Sequence, residues 1–83
     1  MGEIVVTRGV LEVISEVDQM VALNRHAQCD WGEVSKEDAR ANDNALLSGE
    51  RILSVYRSRQ GLAFWVMTAA GRSTTTLLMP YEY

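Results

Sequence analysis

The pattern of apolar and polar residues changes its period at Gly49, and this change constrains the fold more than any other feature. Before it, one stripe recurs at the three-to-four-residue spacing of a helix, at Ala39, Asn42, Ala45 and Leu46. Ser35 suits the N-cap of that helix, and a glycine such as Gly49 commonly follows a helix C-terminus. After Gly49 the side chains alternate with a period of two, which is typical of strands. The sequence therefore predicts helices first and a sheet last.

Residues 51–79 predict a three-stranded antiparallel meander. Its strands and connections are, in order, 52–56, 57–61, 62–67, 69–72 and 73–79. Gly61 is free to take a positive φ in the first connection, and Pro80 stops the last strand. The middle strand is apolar on both faces, which predicts a central position. Phe64 and Trp65 are adjacent in that strand and point to opposite faces, so one of them belongs to the core.

The first part of the chain predicts one strand followed by helices. Residues 3–7 are short and β-branched and predict a strand that Gly9 breaks. Residues 9–28 predict one helix, or two that separate near Ser15, which would cap the second. The predicted fold is α+β with the order β-α-α-β-β-β, in one domain over residues 1–83. The N-terminal strand and the helices are expected on one face of a small antiparallel sheet that ends in the meander.

Composition narrows the class of protein. The chain has 83 residues and a hydrophobic fraction of 47%, which fits one modest globular core. No apolar run approaches the roughly 20 residues that span a bilayer, and the N-terminus lacks the pattern of a signal peptide. Its single cysteine, Cys29, has no intramolecular partner for a disulfide. We therefore expect no membrane association and a reducing, cytoplasmic location.

The sequence contains no set of residues that would form a catalytic or metal site. His26 and Cys29 lie three apart, but no second histidine or cysteine completes a catalytic group or a zinc site. The acidic pairs Glu33/Glu37 and Glu37/Asp38 lie at a helix start, where solvated acids are expected. The sequence therefore predicts no catalytic residues, no metal, no cofactor and no enzymatic activity.

Charge is divided unevenly along the chain. Residues 1–50 carry a net charge of −6 and residues 51–83 a net charge of +3, within a total of −3. We expect helices and sheet to present surfaces of opposite charge, which would steer association with partners. The acidic candidate surface comprises Asp30, Glu33, Glu37, Asp38 and Asp43, and Trp31 lies within it.

Both candidate surfaces have an alternative interpretation. The acids form either a solvated helix face or a patch that docks on a basic, nucleic-acid-handling surface. Trp31 is either its aromatic anchor or a plug in the core. The basic edge, Arg57, Arg59 and Arg72, could meet an acidic partner or support nucleic-acid binding through the sheet aromatics. The isoelectric point of about 5.0 argues against nucleic acid.

Residues 20–83 resemble a family of small proteins carried by phages, plasmids and integrative elements, often called plasmid-related proteins. The resemblance rests on Arg25-His26, Asp30-Trp31-Gly32, Glu37-Asp38, Asn42, Gly49-Glu50-Arg51, Ser54-Val55-Tyr56, Gly61, Trp65, Thr68, Arg72-Ser73-Thr74-Thr75 and Pro80. Asp-Trp-Gly and Arg-Ser-Thr-Thr together are its most specific elements. Through the genetic setting of that family, the chain is further similar to anti-CRISPR proteins of the type I-C class.

This resemblance implies an inhibitor in the cytoplasm of a bacterial host. The implied partner is a host protein, a subunit of a type I CRISPR effector, whose binding of target DNA or recruitment of a nuclease is blocked. Asp30, Trp31, Glu33, Glu37 and Asp38 are the candidate contacts, and the basic edge is the alternative. The second hypothesis is a housekeeping factor of a mobile element that binds nucleic acid through the sheet. We expect a monomer or a weak homodimer, since a sheet edge can pair with a second copy.

Overall fold

The computed structural model describes residues 2–83. The strands are β1 (Glu3–Val6), β2 (Ile52–Arg57), β3 (Ala63–Thr68) and β4 (Thr74–Leu78). The helices are α1 (Arg8–Val13), α2 (Glu16–Ala27) and α3 (Lys36–Ser48), and 3₁₀ turns lie at Ala70–Arg72 and Pro80–Glu82. This succession confirms the predicted α+β class, and the order of the elements matches β-α-α-β-β-β except that residues 9–28 contribute to two helices instead of one.

Residues 9–28 contribute to two helices because Ser15 caps the second. Its hydroxyl accepts a hydrogen bond from the backbone N–H of Asp18 at 3.2 Å. The preceding residue, Ile14, is extended (φ −110°, ψ 123°) and only 3% exposed. The break between α1 and α2 thus directs Ile14 into the core, and the alternative of one continuous helix is wrong.

Both predicted ends of α3 are confirmed. The Ser35 hydroxyl accepts from the backbone N–H of Asp38 at 3.1 Å, and Glu37 and Asp38 occupy the first turn. Gly49 is left-handed (φ 78°), and its N–H donates to the carbonyl of Ala45 at 2.8 Å.

The four strands form one mixed sheet in the order β1-β4-β3-β2. β3 pairs antiparallel with β2 and with β4, which confirms the meander and its central strand. β1 pairs parallel with β4, so the prediction of a purely antiparallel sheet is wrong at this strand. The reason is topological, because β2 runs in the same direction as β1 after the helical crossover. Two hairpin connections then restore that direction in β4.

The sheet has two unlike faces. α1 and α2 pack on the helix face, where the core comprises Val10, Ile14, Ala22, Tyr56, Phe64, Val66, Leu77 and Met79. A smaller cluster joins α3 to β2 through Trp31, Ala45 and Ile52. The alternate residues of β2 and β3 point to the other side, here called the open face, which α1 and α2 do not cover. These residues are Leu53, Val55, Trp65 and Met67, and all are half-buried.

The outer edge of β2 is closed by the loop before α3. The N–H of Val55 donates to the carbonyl of Trp31 at 3.1 Å, and its carbonyl accepts from the N–H of Glu33 at 2.8 Å. Gly32, between them, has φ 73°, and a Cβ there would lie 2.0 Å from the carbonyl oxygen of Val55. Only glycine fits this backbone contact.

Asn42 closes the same edge one step along β2. Its Oδ1 accepts from the N–H of Leu53 at 3.1 Å, and its Nδ2 donates to the carbonyl of Leu53 at 2.7 Å. The side-chain amide thus substitutes for a neighbouring strand, which explains why an asparagine of the helical stripe is buried.

Candidate partner-binding surface

The open face presents an aromatic and cationic cluster. Trp65 lies in the central strand, and the ring of Tyr83 meets it edge-on with centroids 5.4 Å apart. The guanidinium carbon of Arg51 lies 5.4 Å from the centroid of the Tyr83 ring, and its Nη1 donates to the Tyr83 hydroxyl. The C-terminal residue thereby joins β3 to the residue that precedes β2.

A groove of about 450 Å³ lies beside this cluster, where α3 begins next to the open face. Its apolar lining includes Leu53, Val55 and Trp65, and carboxylates are supplied by Glu33 and Asp38. An apolar floor with a few charged groups at the edge is the usual composition of a binding groove. Two of the five acids of the predicted acidic surface therefore lie together with an aromatic ring.

The other predicted contacts of the acidic surface are placed differently. The Asp30 carboxylate accepts from the Arg25 guanidinium at 2.8 and 3.2 Å, which holds the pKa of that carboxyl below its usual value. Glu37 is exposed on the first turn of α3. Asp43 accepts from the indole N–H of Trp31 at 3.1 Å. Asp30 and Asp43 thus have internal partners, and Glu37 is exposed to solvent.

Trp31 belongs to the core. It is 7% exposed, packs in the cluster with Ala45 and Ile52, and meets the His26 ring edge-on at 5.7 Å. The tryptophan beside the surface acids is Trp65.

The three arginines of the basic edge are all engaged within the chain. Arg57 forms an ion pair with Glu33 at 3.1 Å, which lowers the pKa of the Glu33 carboxyl. Arg59 pairs with Asp18 at 3.1 Å. Arg72 donates to the backbone carbonyls of Ala45 and Glu50.

These contacts correct the expectation of separate acidic and basic surfaces. Two of the meander arginines pair with acids from the first part of the chain because the 57–61 connection folds against α2 and the loop before α3. Local neutralisation weakens the long-range field that the sequence charge predicted.

His26 belongs to a buried polar chain on the helix face. Its Nδ1 lies 2.6 Å from the Ser54 hydroxyl and its Nε2 lies 2.8 Å from the Thr68 hydroxyl, which contacts the Thr75 hydroxyl at 2.9 Å. Burial, with a smaller effect of the Arg72 charge, lowers the pKa of His26 to about 4. The imidazole is therefore neutral at pH 7, and both of its nitrogens are occupied.

Cys29 lies outside the hydrogen-bonded network of His26. It is exposed, with φ 63°, just after α2. Among residues 2–83, no group of three or more His, Cys, Asp or Glu side chains is placed to hold a metal ion.

Sequence reasoning missed two members of the surface cluster, Arg51 and Tyr83. Alternation along β2 places Arg51 on the side of Leu53 and Val55, so a strict use of the two-residue period would have found it. Tyr83 follows the turn at Pro80–Glu82, and nothing in the sequence indicates that the chain folds back to Trp65.

No protein-family model, curated protein or solved structure matches this chain. The resemblance to small mobile-element proteins therefore stays a prediction that its motifs carry. Several of those motif residues have internal roles, as the contacts of Asp30, Gly32 and Arg72 illustrate. Asp30, Gly32 and Arg72 therefore contribute to the fold of the chain. Within the described part of the chain, no helix has both the length and the apolarity that crossing a bilayer requires.

Proposed function

We propose that this protein acts by binding another protein, and not by catalysis, through the open face and the adjoining groove. The observation that carries the proposal is the cluster of Trp65, Tyr83 and Arg51 beside the carboxylates of Glu33 and Asp38. Tryptophan, tyrosine and arginine are the residues most enriched at the energetic centres of interfaces. The helix face has no such role because its side chains are buried against α1 and α2.

The chemistry of the groove favours a partner segment that combines an apolar or aromatic side chain with Lys or Arg. The apolar side chain would cover Leu53 and Val55, and a cation would meet the Asp38 carboxylate. No other described residue donates to that carboxylate, whereas Glu33 shares its charge with Arg57. Asp38 is therefore the acid whose charge is most available to a partner.

For the partner itself we propose a subunit of a type I CRISPR effector, and the resemblance described above supports it. Surfaces that handle nucleic acid are rich in Lys and Arg, and acidic groups can occupy them in place of phosphates. When this protein is bound to the effector subunit, it would exclude target DNA or the recruited nuclease by occupying the same surface of that subunit.

The test is binding to purified type I effector subunits, followed at rising salt. We expect Trp65→Ala to weaken binding about 30-fold, as loss of an aromatic anchor does. Asp38→Asn should weaken it less and flatten its dependence on salt. The matched controls are Tyr81→Ala, which removes another exposed aromatic ring, and Glu16→Gln, which removes an acid from the first turn of α2; both should bind as the parent does.

Two results would reject parts of this proposal. Absence of binding to every subunit at low salt would reject the CRISPR effector as partner. Binding that Trp65→Ala leaves intact would reject the open face as the contact surface, whichever partner is used.

Nucleic-acid binding is the second candidate, because Trp65 and Tyr83 offer aromatic rings on a sheet with Arg51 beside them. The engagement of Arg57, Arg59 and Arg72 within the chain weighs against it. Gel-shift titrations with single- and double-stranded probes decide between the candidates. Binding to a nucleic-acid probe in this assay, abolished by Arg51→Ala, would favour the second candidate.

A further inference from the structure

The two edges of the sheet differ in how their outward-facing backbone groups are hydrogen-bonded. At β2, every outward-facing backbone group of Leu53 and Val55 is bonded, by Asn42 and by the 31–33 loop. At β1, the N–H groups of Glu3 and Thr7 donate to the carbonyls of β4 and its preceding residue, at 3.0 Å each. Backbone groups alternate in direction along a strand, so those of the intervening even-numbered residues point away from the sheet.

Those outward-facing groups belong to Ile4 and Val6. No other described residue forms a hydrogen bond with them, so each residue leaves one N–H and one carbonyl open at the edge. The side chains do not protect this edge either. Ile4 is 42% exposed and Val5 38% exposed, and β1 contains no Lys or Pro, two residues that commonly block the pairing of an edge strand.

We propose that a second copy of this chain pairs with this edge, β1 against β1 in antiparallel orientation, to give a two-fold dimer with a continuous eight-stranded sheet. The edge is suited to bind an extended backbone segment, because two hydrogen-bond donors and two acceptors alternate along it. A second β1 supplies the matching set.

Backbone direction selects one register. Even-numbered residues must face even-numbered residues, and only a two-fold axis at Val5 pairs Ile4 with Val6 of the second copy at both ends. That register forms four hydrogen bonds and leaves no outward-facing group of Ile4 or Val6 unpaired. It also places Glu3, the one charged residue of β1, opposite the uncharged Thr7 of the second copy. The two Glu3 carboxylates therefore lie at opposite ends of the paired strands.

Val5 is the residue that tests this register. In the proposed dimer, Val5 faces Val5 of the second copy across the two-fold axis. The two residues form a non-hydrogen-bonded pair, in which their Cα atoms approach to about 4.5 Å. Val5 lies on the open face, in register with Thr76 of β4, and its side chain is not part of the core. Charged substitutions at Val5 should therefore change pairing while leaving the fold intact.

The experiment is sedimentation equilibrium of the full chain at low ionic strength. A series from about 10 µM to about 1 mM covers the dissociation constants of small, transient interfaces. We expect the average mass of the parent chain to rise toward that of a dimer. Val5→Lys alone and Val5→Glu alone should each raise the dissociation constant about tenfold or more, because like charges face each other. An equimolar mixture of the two variants should restore association.

Leu47→Lys is the matched control, since Leu47 is 92% exposed on α3, away from β1; it should associate as the parent does. Amide hydrogen exchange gives a second readout, with Ile4 and Val6 protected at high concentration and unprotected on dilution. A parent chain that stays monomeric up to the top concentration would overturn the proposal and leave the edge to a strand of a different protein. Association that survives in each single Val5 variant would overturn it in favour of another face.

Discussion

The two faces of the sheet differ most at two adjacent residues, Phe64 and Trp65. Phe64 points to the helix face and is 1% exposed, whereas Trp65 points to the open face and is half-buried. The helix face also buries polar groups, and among the described residues every buried side-chain nitrogen or oxygen has a partner. One face therefore supplies stability, and the other leaves aromatic area partly accessible to solvent.

Exchanging each of these two residues for alanine separates the faces most sharply. We expect Phe64→Ala to lower the free energy of unfolding by about 3–5 kcal/mol, because it leaves a cavity in the core. Trp65→Ala should cost no more than about 2 kcal/mol, since its ring is already partly in water. Urea unfolding of both variants measures the difference, and similar losses would contradict the division of roles.

Acid should weaken the helix face through His26. Its pKa is about 4 in the folded chain and 6.5 when unperturbed, so the unfolded chain binds more protons between these values. The contribution of His26 to the free energy of unfolding is therefore fully present above pH 6.5. It is lost as the pH drops toward 4, by roughly 3 kcal/mol in total. Unfolding curves between pH 7 and 5 check this, and His26→Gln, although less stable, should show a flatter dependence on pH in that range.

Gly32 lies in a crowded part of the structure, whereas Gly49 lies in an open one. Gly32 and Gly49 both have positive φ, at 73° and 78°, so alanine carries a similar backbone cost at each. A Cβ at Gly32 meets the Val55 carbonyl and the Tyr56 ring, whereas a Cβ at Gly49 meets nothing within 4 Å. We expect Gly32→Ala to be less stable than Gly49→Ala by about 1–3 kcal/mol in thermal unfolding. Equal stabilities would show that the 31–33 loop can move away from β2.

The smallest effect is expected on the open face at Tyr83. Its ring contacts Trp65 and Arg51 but is 62% exposed. Tyr83→Ala should change the free energy of unfolding by about 1 kcal/mol or less. A larger loss would mean that the C-terminal residue helps to hold the sheet, and that the open face is less independent of the core than its exposure indicates.

The fold was largely predictable because its signals are local. Ser15 and Ser35 were predicted as N-caps and Gly49 as a C-terminal glycine, and each depends on a few neighbouring backbone groups. The parallel pairing of β1 with β4 was not predictable. It joins residues about seventy positions apart, and no local pattern specifies which strand a short β-branched segment will meet.

The candidate surface was predictable only in part. Glu33 and Asp38 were identified from charge, and they do lie at the groove. Trp31 has the same side chain as Trp65 and lies among the acids in sequence, but packing buries it against Ala45 and Ile52. Burial depends on what the rest of the chain brings to a residue, so composition near Trp31 could not decide its role.

Local signals in the sequence locate most of the helices and strands, because capping groups and the two apolar periods act over a few residues. Tertiary packing sets which arginines pair with which acids, which tryptophan is the more exposed, and which sheet edge stays open. These properties depend on contacts between distant segments, and the free energy of such contacts is gained only when the whole chain has folded.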